Sequence, residues 1–249
     1  MIHCTWGRGS FWHNYISYFS ERGYQCLAPD WLYHDQVPGV PPDPRLGTTS
    51  LLDFVADFEN QILQLEKKPI IMGHSVGGLM AQILASRGVG KAAVAITSGV
   101  PAGINAFTPS VLWSFKSVTG RWGFWRKPHK QTFKEAVYSM MHLMPKEAQI
   151  RFYDELVYDS GRATSEIGFW YLDPQKASRV DEKKVTCPFL VIGAGKDRIT
   201  PVSTSRKIAK KYPHADYKEY ENHAHWILHE PGWETVAQDI YFWLQEKKG

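Results

Sequence analysis

Three residues far apart in the chain carry the types that nucleophilic acyl chemistry needs. Ser75 stands in Gly73-His74-Ser75-Val76-Gly77-Gly78, which matches G-x-S-x-G. A serine hydroxyl is a weak nucleophile until a base takes its proton, and the base must itself be oriented by a third group. The pattern alone occurs by chance, so its surroundings decide its meaning. PIIMG (69–73) reads as a buried strand that runs into the serine without a spacer, and GGLMAQILAS reads as a helix leaving it. That is the strand–turn–helix setting in which a serine is forced into a strained backbone and projected from a sheet. Glycines two before and two after let strand and helix approach, and the helix N-terminus brings N–H groups beside the nucleophile.

The acid expected between serine and base is Asp197, in Lys196-Asp197-Arg198 just past the strand CPFLVIGAG (187–195). Asp173 and Asp181 are rivals placed away from any strand end. Among His214, His223, His225 and His229 the favoured base is His225, in the loop after ADYKEYE (215–221). Trp226, Ile227 and Leu228 behind it can anchor that loop. His223 is the alternative base, or an orienter of the loop, and His229 reads as structural. His74, inside the turn, is expected to pack or hydrogen-bond beneath the site, and is also a candidate for the pocket wall.

The elements that must position these residues alternate. YQCLAP (24–29), PIIMG, KAAVAITSG (91–99), CPFLVIGAG and ADYKEYE read as strands, the last of edge type. Between them, Thr49 or Ser50 caps a helix with Leu51, Val55, Phe58, Ile62 and Leu65 on one face; another spans 201–211; and Val236, Ile240, Trp243 and Leu244 line a last one. Strands separated by helices imply an α/β fold, a mostly parallel sheet flanked by helices. Residues 105–177 break the alternation. They hold no convincing strand but several helical stretches dense in aromatic residues, including VLWSFKSV, FKEAVYSMMHLM and IGFWYLD. The expected organisation is a core of 1–104 and 178–249 with a helical lid at 105–177. The basic run Arg121, Arg126, Lys127, Lys130 and Lys134 reads as a solvated helix face.

RGYQCLAPDW, IIMGHSVGGLMAQILA, CPFLVIGAGKDRITP and NHAHWILHEPGW, in that order, resemble the α/β-hydrolase superfamily in its branch of lidded esterase- and lipase-like serine hydrolases. The resemblance covers nearly the whole chain. It implies Ser75 as nucleophile, Asp197 as acid and His225 as general base. It also maps an oxyanion hole onto the backbone N–H groups of Val76 and of Thr5, in Ile2-His3-Cys4-Thr5-Trp6-Gly7. Cys4 stands where glycine is usual, and a cysteine would be strained there if the backbone needs positive φ. Cys4 is otherwise a small buried residue or, less simply, a reactive thiol. The stretch opens two residues into the chain, so the strands usually ahead of it are expected to be missing.

The implied activity is hydrolysis of a carboxylic ester, lactone or similar acyl bond of a small apolar molecule. Trp6, His74, Trp113 and Trp170 are its candidate pocket residues, and no metal or organic cofactor is called for. The same triad also serves cofactor-free haloperoxidases or perhydrolases and C–C bond hydrolases, and a slow-turnover ligand-binding receptor would keep the same pocket. Composition excludes other classes. A net charge of +4 spread through 249 residues does not suit nucleic acid. No apolar run is long enough to cross a membrane, and no signal peptide opens the chain. Three scattered cysteines form no disulfide framework, so a reducing, cytoplasmic compartment is expected. Oligomeric state is not readable.

Overall fold

The computed structural model describes residues 1–37 and 39–247; Pro38 of the Pro-rich loop and residues 248 and 249 lie outside them. Four parallel strands form the sheet in the order β1-β2-β5-β6: β1 (Ile70–His74), β2 (Ala92–Ile96), β5 (Phe189–Ala194) and β6 (Ala215–Tyr220). β1, β2 and β5 are continuous apolar runs because both faces of the sheet are covered. Along β2, Ala93 and Ala95 face one core and Ala92, Val94 and Ile96 the other. The first core is closed by α2 (Leu51–Leu63), α3 (Val76–Ser86) and α9 (Val202–Lys211), the second by α1 (His13–Ser20) and α10 (Trp233–Glu246). α10 buries Val236, Ile240, Trp243 and Leu244, the face that its periodicity indicates.

α2 starts at Ser50, whose side chain caps the helix while Asp53 returns a bond to the Ser50 N–H. Its buried stripe includes Phe54 besides Leu51, Val55 and Phe58, whereas Leu65 lies past the helix end and is exposed. The strand expected at 24–29 does not form. Its neighbour toward β1 is Ile2, which bridges to Gly73, and the Met1 amino group donates to the Leu27 carbonyl, 2.6 Å, but among the described residues the run joins no ladder. A run without a ladder on either side has nothing to hold it as a strand.

The long connection from β2 to β5 carries α4 (Pro109–Ser114), α5 (Lys116–Thr119), α6 (Phe133–Ala136) continuing into a π-turn at Val137–Met141, α7 (Lys146–Glu155) and α8 (Gly161–Gly168). It also contains strand pairing that the sequence does not suggest: β3 (Pro128–His129) runs antiparallel to β4 (Asp159–Ser160). The basic run is not a helix face, since it crosses a 3₁₀ turn and β3. Lys130 is half-buried and donates to the Tyr153 and Leu156 carbonyls, 3.1 and 2.7 Å. Among the described residues no helix is long and apolar enough to cross a membrane.

Candidate active site

Ser75 sits between β1 and α3 at φ 57° and ψ −123°, a region that costs a non-glycine residue of order 1–3 kcal/mol. The surrounding packing explains why it persists. The Ser75 N–H donates to the Ile96 carbonyl, and its own carbonyl accepts from Gly78 and Gly99. The flanking glycines are required by contact: a Cβ on Gly73 would lie 2.0 Å from the Gly77 carbonyl oxygen, and one on Gly77 2.3 Å from the His3 oxygen. Strand, helix and the N-terminal segment therefore pack at backbone distance around the serine.

Asp197 follows β5 and is nearly buried. Its Oδ1 accepts the N–H groups of Ile199 and Thr200, 2.9 and 2.8 Å, and its Oδ2 accepts Nδ1–H of His225 at 2.7 Å. His225 is fully buried, and Nε2, on the far edge of the ring, has no hydrogen-bond partner among the described residues. Ser75 and His225 line the same cavity of ≈ 210 Å³. Thr200 is a site residue that the sequence reading missed: its Oγ1 lies 2.7 Å from Asp197 Oδ2, 2.9 Å from the Thr97 carbonyl and 3.2 Å from His225 Nδ1. No sequence signal marks it beyond its place three residues after the acid.

The other candidates are elsewhere. Asp173 caps its own loop through the Gln175 and Ala177 N–H groups, and Asp181 pairs with Lys184. His223 Nδ1 meets Glu230, whose carboxylate also accepts the Ala224 N–H, so His223 braces the loop that carries His225. His229 is half-buried, and desolvation pulls it down to about 3. His74 is likewise held well below the usual range, first by burial and then by His225; its Nε2–H donates to the His225 carbonyl at 2.8 Å. It supports the His225 backbone from behind and does not line the cavity.

The cavity wall includes Trp6 and Trp170, with Phe115, Phe169 and Ile167. Trp113 is not part of it. It lies at the surface, 39% exposed, under Lys116 and against Tyr138. Thr5 and Val76 line the cavity, and their N–H groups donate to no other described residue. Cys4 does not have positive φ; the strain is two residues on, at Trp6, φ 61°. The Gly7 N–H donates to the Cys4 carbonyl, so Cys4–Gly7 is a type II turn with a tryptophan where glycine is usual. His3 stacks on Trp31, donates from Nδ1 to the Cys4 carbonyl and accepts the Trp31 N–H at Nε2; burial pulls it down to about 3, which keeps it neutral for both bonds. The Cys4 thiol is buried and pushed up to about 12.

Comparison with known proteins agrees with this architecture. The chain is 25% identical over 246 residues to a monoacylglycerol lipase from Mycolicibacterium smegmatis, covering 94% of this chain and 82% of that protein. The structure of the monoacylglycerol lipase of Paleococcus ferrophilus superposes with a TM-score of 0.70 at 23% identity, over 99% of this chain and 93% of the other. A pyrethroid hydrolase from Sphingobium faniae JZ-2 superposes at 0.67 with 18% identity, over 96% and 94%. Residues 1–238 match the model of the alpha/beta hydrolase family, and with the strand–turn–helix at Ser75 on a parallel sheet the chain belongs to that family.

Proposed function

We propose that the protein is a serine hydrolase that cleaves the carboxylic ester, or a related acyl bond, of a small apolar molecule. The observation that carries the reading is the shared cavity: a strained Ser75 and an unpartnered His225 Nε2, backed by Asp197, open into a mostly apolar space. The lipase and hydrolase names of the relatives support the same chemistry.

The steps follow from the geometry. Asp197 Oδ2 accepts Nδ1–H and so leaves the Nε2 lone pair free to take the Ser75 proton as Oγ attacks the acyl carbon. The Thr5 and Val76 N–H groups donate to the oxyanion, and their lack of protein partners means that no bond must break first. The imidazolium returns its proton to the leaving alcohol; water, activated by the same Nε2, then releases the acid and Ser75. Residues 105–177 act as a lid whose Phe169 and Trp170 roof the acyl group, with Trp6 as wall. The three cysteines are unpaired, in keeping with a cytoplasmic protein.

Labelling of purified protein with a fluorescent fluorophosphonate tests this, with Ser75→Ala and His225→Ala beside it. Label should enter the wild type and be lost from both variants, and p-nitrophenyl butyrate hydrolysis should fall by about 10⁶-fold in Ser75→Ala. Folded wild type that neither labels nor hydrolyses short or medium-chain esters overturns the reading.

A further inference from the structure

One buried acid has no part in these steps. Asp159 belongs to β4 in the lid and is 2% exposed. Its Oδ1 accepts the neighbouring Ser160 N–H at 2.6 Å; its Oδ2 crosses to the core and accepts the backbone N–H of Trp6 at 2.9 Å, with His34 Nε2 3.4 Å away. Burial acts to raise this carboxyl, but His34, His129 and the Trp6 N–H outweigh it and hold it below the usual carboxylate range. It is an anion at neutral pH.

The lid grips Trp6 twice more. The Val157 N–H donates to the Trp6 carbonyl at 3.0 Å, and the indole N–H donates to His129 Nδ1 at 3.1 Å. His129 pairs with Asp159 across the two-stranded lid sheet, and burial pulls it down to about 4. A neutral ring accepts at Nδ1 while Nε2–H donates to Thr164 Oγ1, 2.8 Å. All three polar groups of Trp6 thus end on the lid.

Trp6 is the third residue of the type II turn, the position that demands positive φ. A tryptophan there gains by letting the central peptide flip to a type I turn, where φ is negative. The flip would turn the Thr5 carbonyl toward the Asp159 carboxylate, which repels it and accepts only the N–H. We propose that Asp159 is a positioning residue for the hydrolysis: by fixing the central Thr5–Trp6 peptide it anchors the Cys4–Gly7 turn, whose first peptide carries the Thr5 N–H, against the cavity. The inference rests on the serine-hydrolase reading. It assigns one oxyanion donor to the lid's control, and makes the lid a part of the catalytic frame besides a roof.

The test compares Asp159→Ala and Asp159→Asn with wild type on p-nitrophenyl butyrate, with thermal melts and hydrogen exchange at the Trp6 amide. In folded Asp159→Ala, kcat should fall by about 10²-fold, the size expected when an oxyanion donor is displaced, with KM within about twofold. The Trp6 amide should exchange faster. Asp159→Asn keeps an oxygen that can accept the Trp6 N–H, so it should recover at least tenfold of the lost kcat. An unchanged kcat in folded Asp159→Ala overturns the inference, as does a loss that merely tracks the folded fraction. If the alanine variant does not fold, Asp159→Asn decides, because unchanged kcat and unchanged Trp6 exchange overturn it too. A wild type that labels with fluorophosphonate beside indifferent Asp159 variants defeats this inference alone; a wild type without labelling or turnover defeats the hydrolase reading beneath it.

Discussion

Ser75, Asp197 and His225 follow β1, β5 and β6, so the register of a parallel sheet brings them to one end of it. Thr5, Trp6 and the cavity roof have no such frame. Ile2 makes one bridge, and the 105–177 segment is built of short helices, a π-turn and a sheet of two-residue strands. Its backbone is tied down instead by buried carboxylates. Glu135 accepts the N–H and hydroxyl groups of both Ser117 and Thr132; Glu166 accepts the Ser50 hydroxyl, the Leu51 N–H and Arg162 Nε; Asp159 accepts the Trp6 N–H. Regular strands and helices satisfy their own polar groups. Irregular buried backbone must find side-chain acceptors, and an anion is a stronger acceptor than a carbonyl. The difference teaches that the core is fixed by periodicity and the 105–177 segment by a few buried carboxylates.

Acid should test both regions at once, and with the largest effect. His3 and His229, outside the 105–177 segment, and His129 within it are pulled down to about 3, 3 and 4 by desolvation. Each folded value lies below the unfolded one near 6.5, so below pH 6.5 the unfolded chain binds more protons. The stability they contribute is complete above about pH 6.5 and is lost as pH falls toward 4. Between pH 6.5 and 5 this amounts to about 2 kcal/mol per histidine. Urea unfolding at pH 7.5 and 5.0 measures it. A flat profile would show that these rings are not buried neutral. Hydrogen exchange at pH 5 that speeds up in 105–177 while α3 stays protected would sharpen the contrast between the two regions.

Glu166→Ala removes one of the carboxylates outright. It leaves the Ser50 hydroxyl, the Leu51 N–H and Arg162 without their acceptor at the start of α2. Loss of one member of such a buried charged network costs about 3 kcal/mol, which lowers Tm by roughly 6–12 °C in a domain of this size. Glu166→Gln should cost less, since one oxygen remains. Differential scanning calorimetry checks both, and a Tm within about 2 °C of wild type in Glu166→Ala would remove the carboxylates from the account of what holds the 105–177 segment.

The same contrast explains what could be read from the residues. β1, β2, β5 and α3 announce themselves through apolar runs and the glycines at 73 and 77, because local pattern and final packing agree there. The pairing of His129 with Asp159, the grip on Trp6 and the bond from Thr200 to Asp197 are set by tertiary approach, and no local periodicity encodes them. Trp113 and Trp170 look alike in sequence, yet only Trp170 turns inward, a choice made by how irregular turns settle on the core. The 24–29 run has the composition of a strand but lacks the ladder that would make it one.

Cys4 bears on the seam between the two regions, and the smallest effect is expected there. It stands two residues after Ile2 and opens the turn that the 105–177 segment holds, so a functional thiol at this place would make the seam chemically reactive. Its environment argues for the opposite. Burial pushes the thiol up to about 12, leaving almost no thiolate at neutral pH, and only the thiolate attacks. The side chain packs in the cluster with Trp6, Phe11 and Trp226, outside the cavity that holds Ser75. Iodoacetamide should therefore modify half-buried Cys26 in native protein and leave Cys4 untouched, as peptide mass spectrometry would read. Cys4→Ala should keep kcat within about twofold, because the turn's shape is set by Trp6 and its lid partners and not by the cysteine. Rapid alkylation of Cys4 in folded protein, with activity lost in step, would mean that the seam opens, and that the hold of His129, Val157 and Asp159 on Trp6 is looser than its three hydrogen bonds imply.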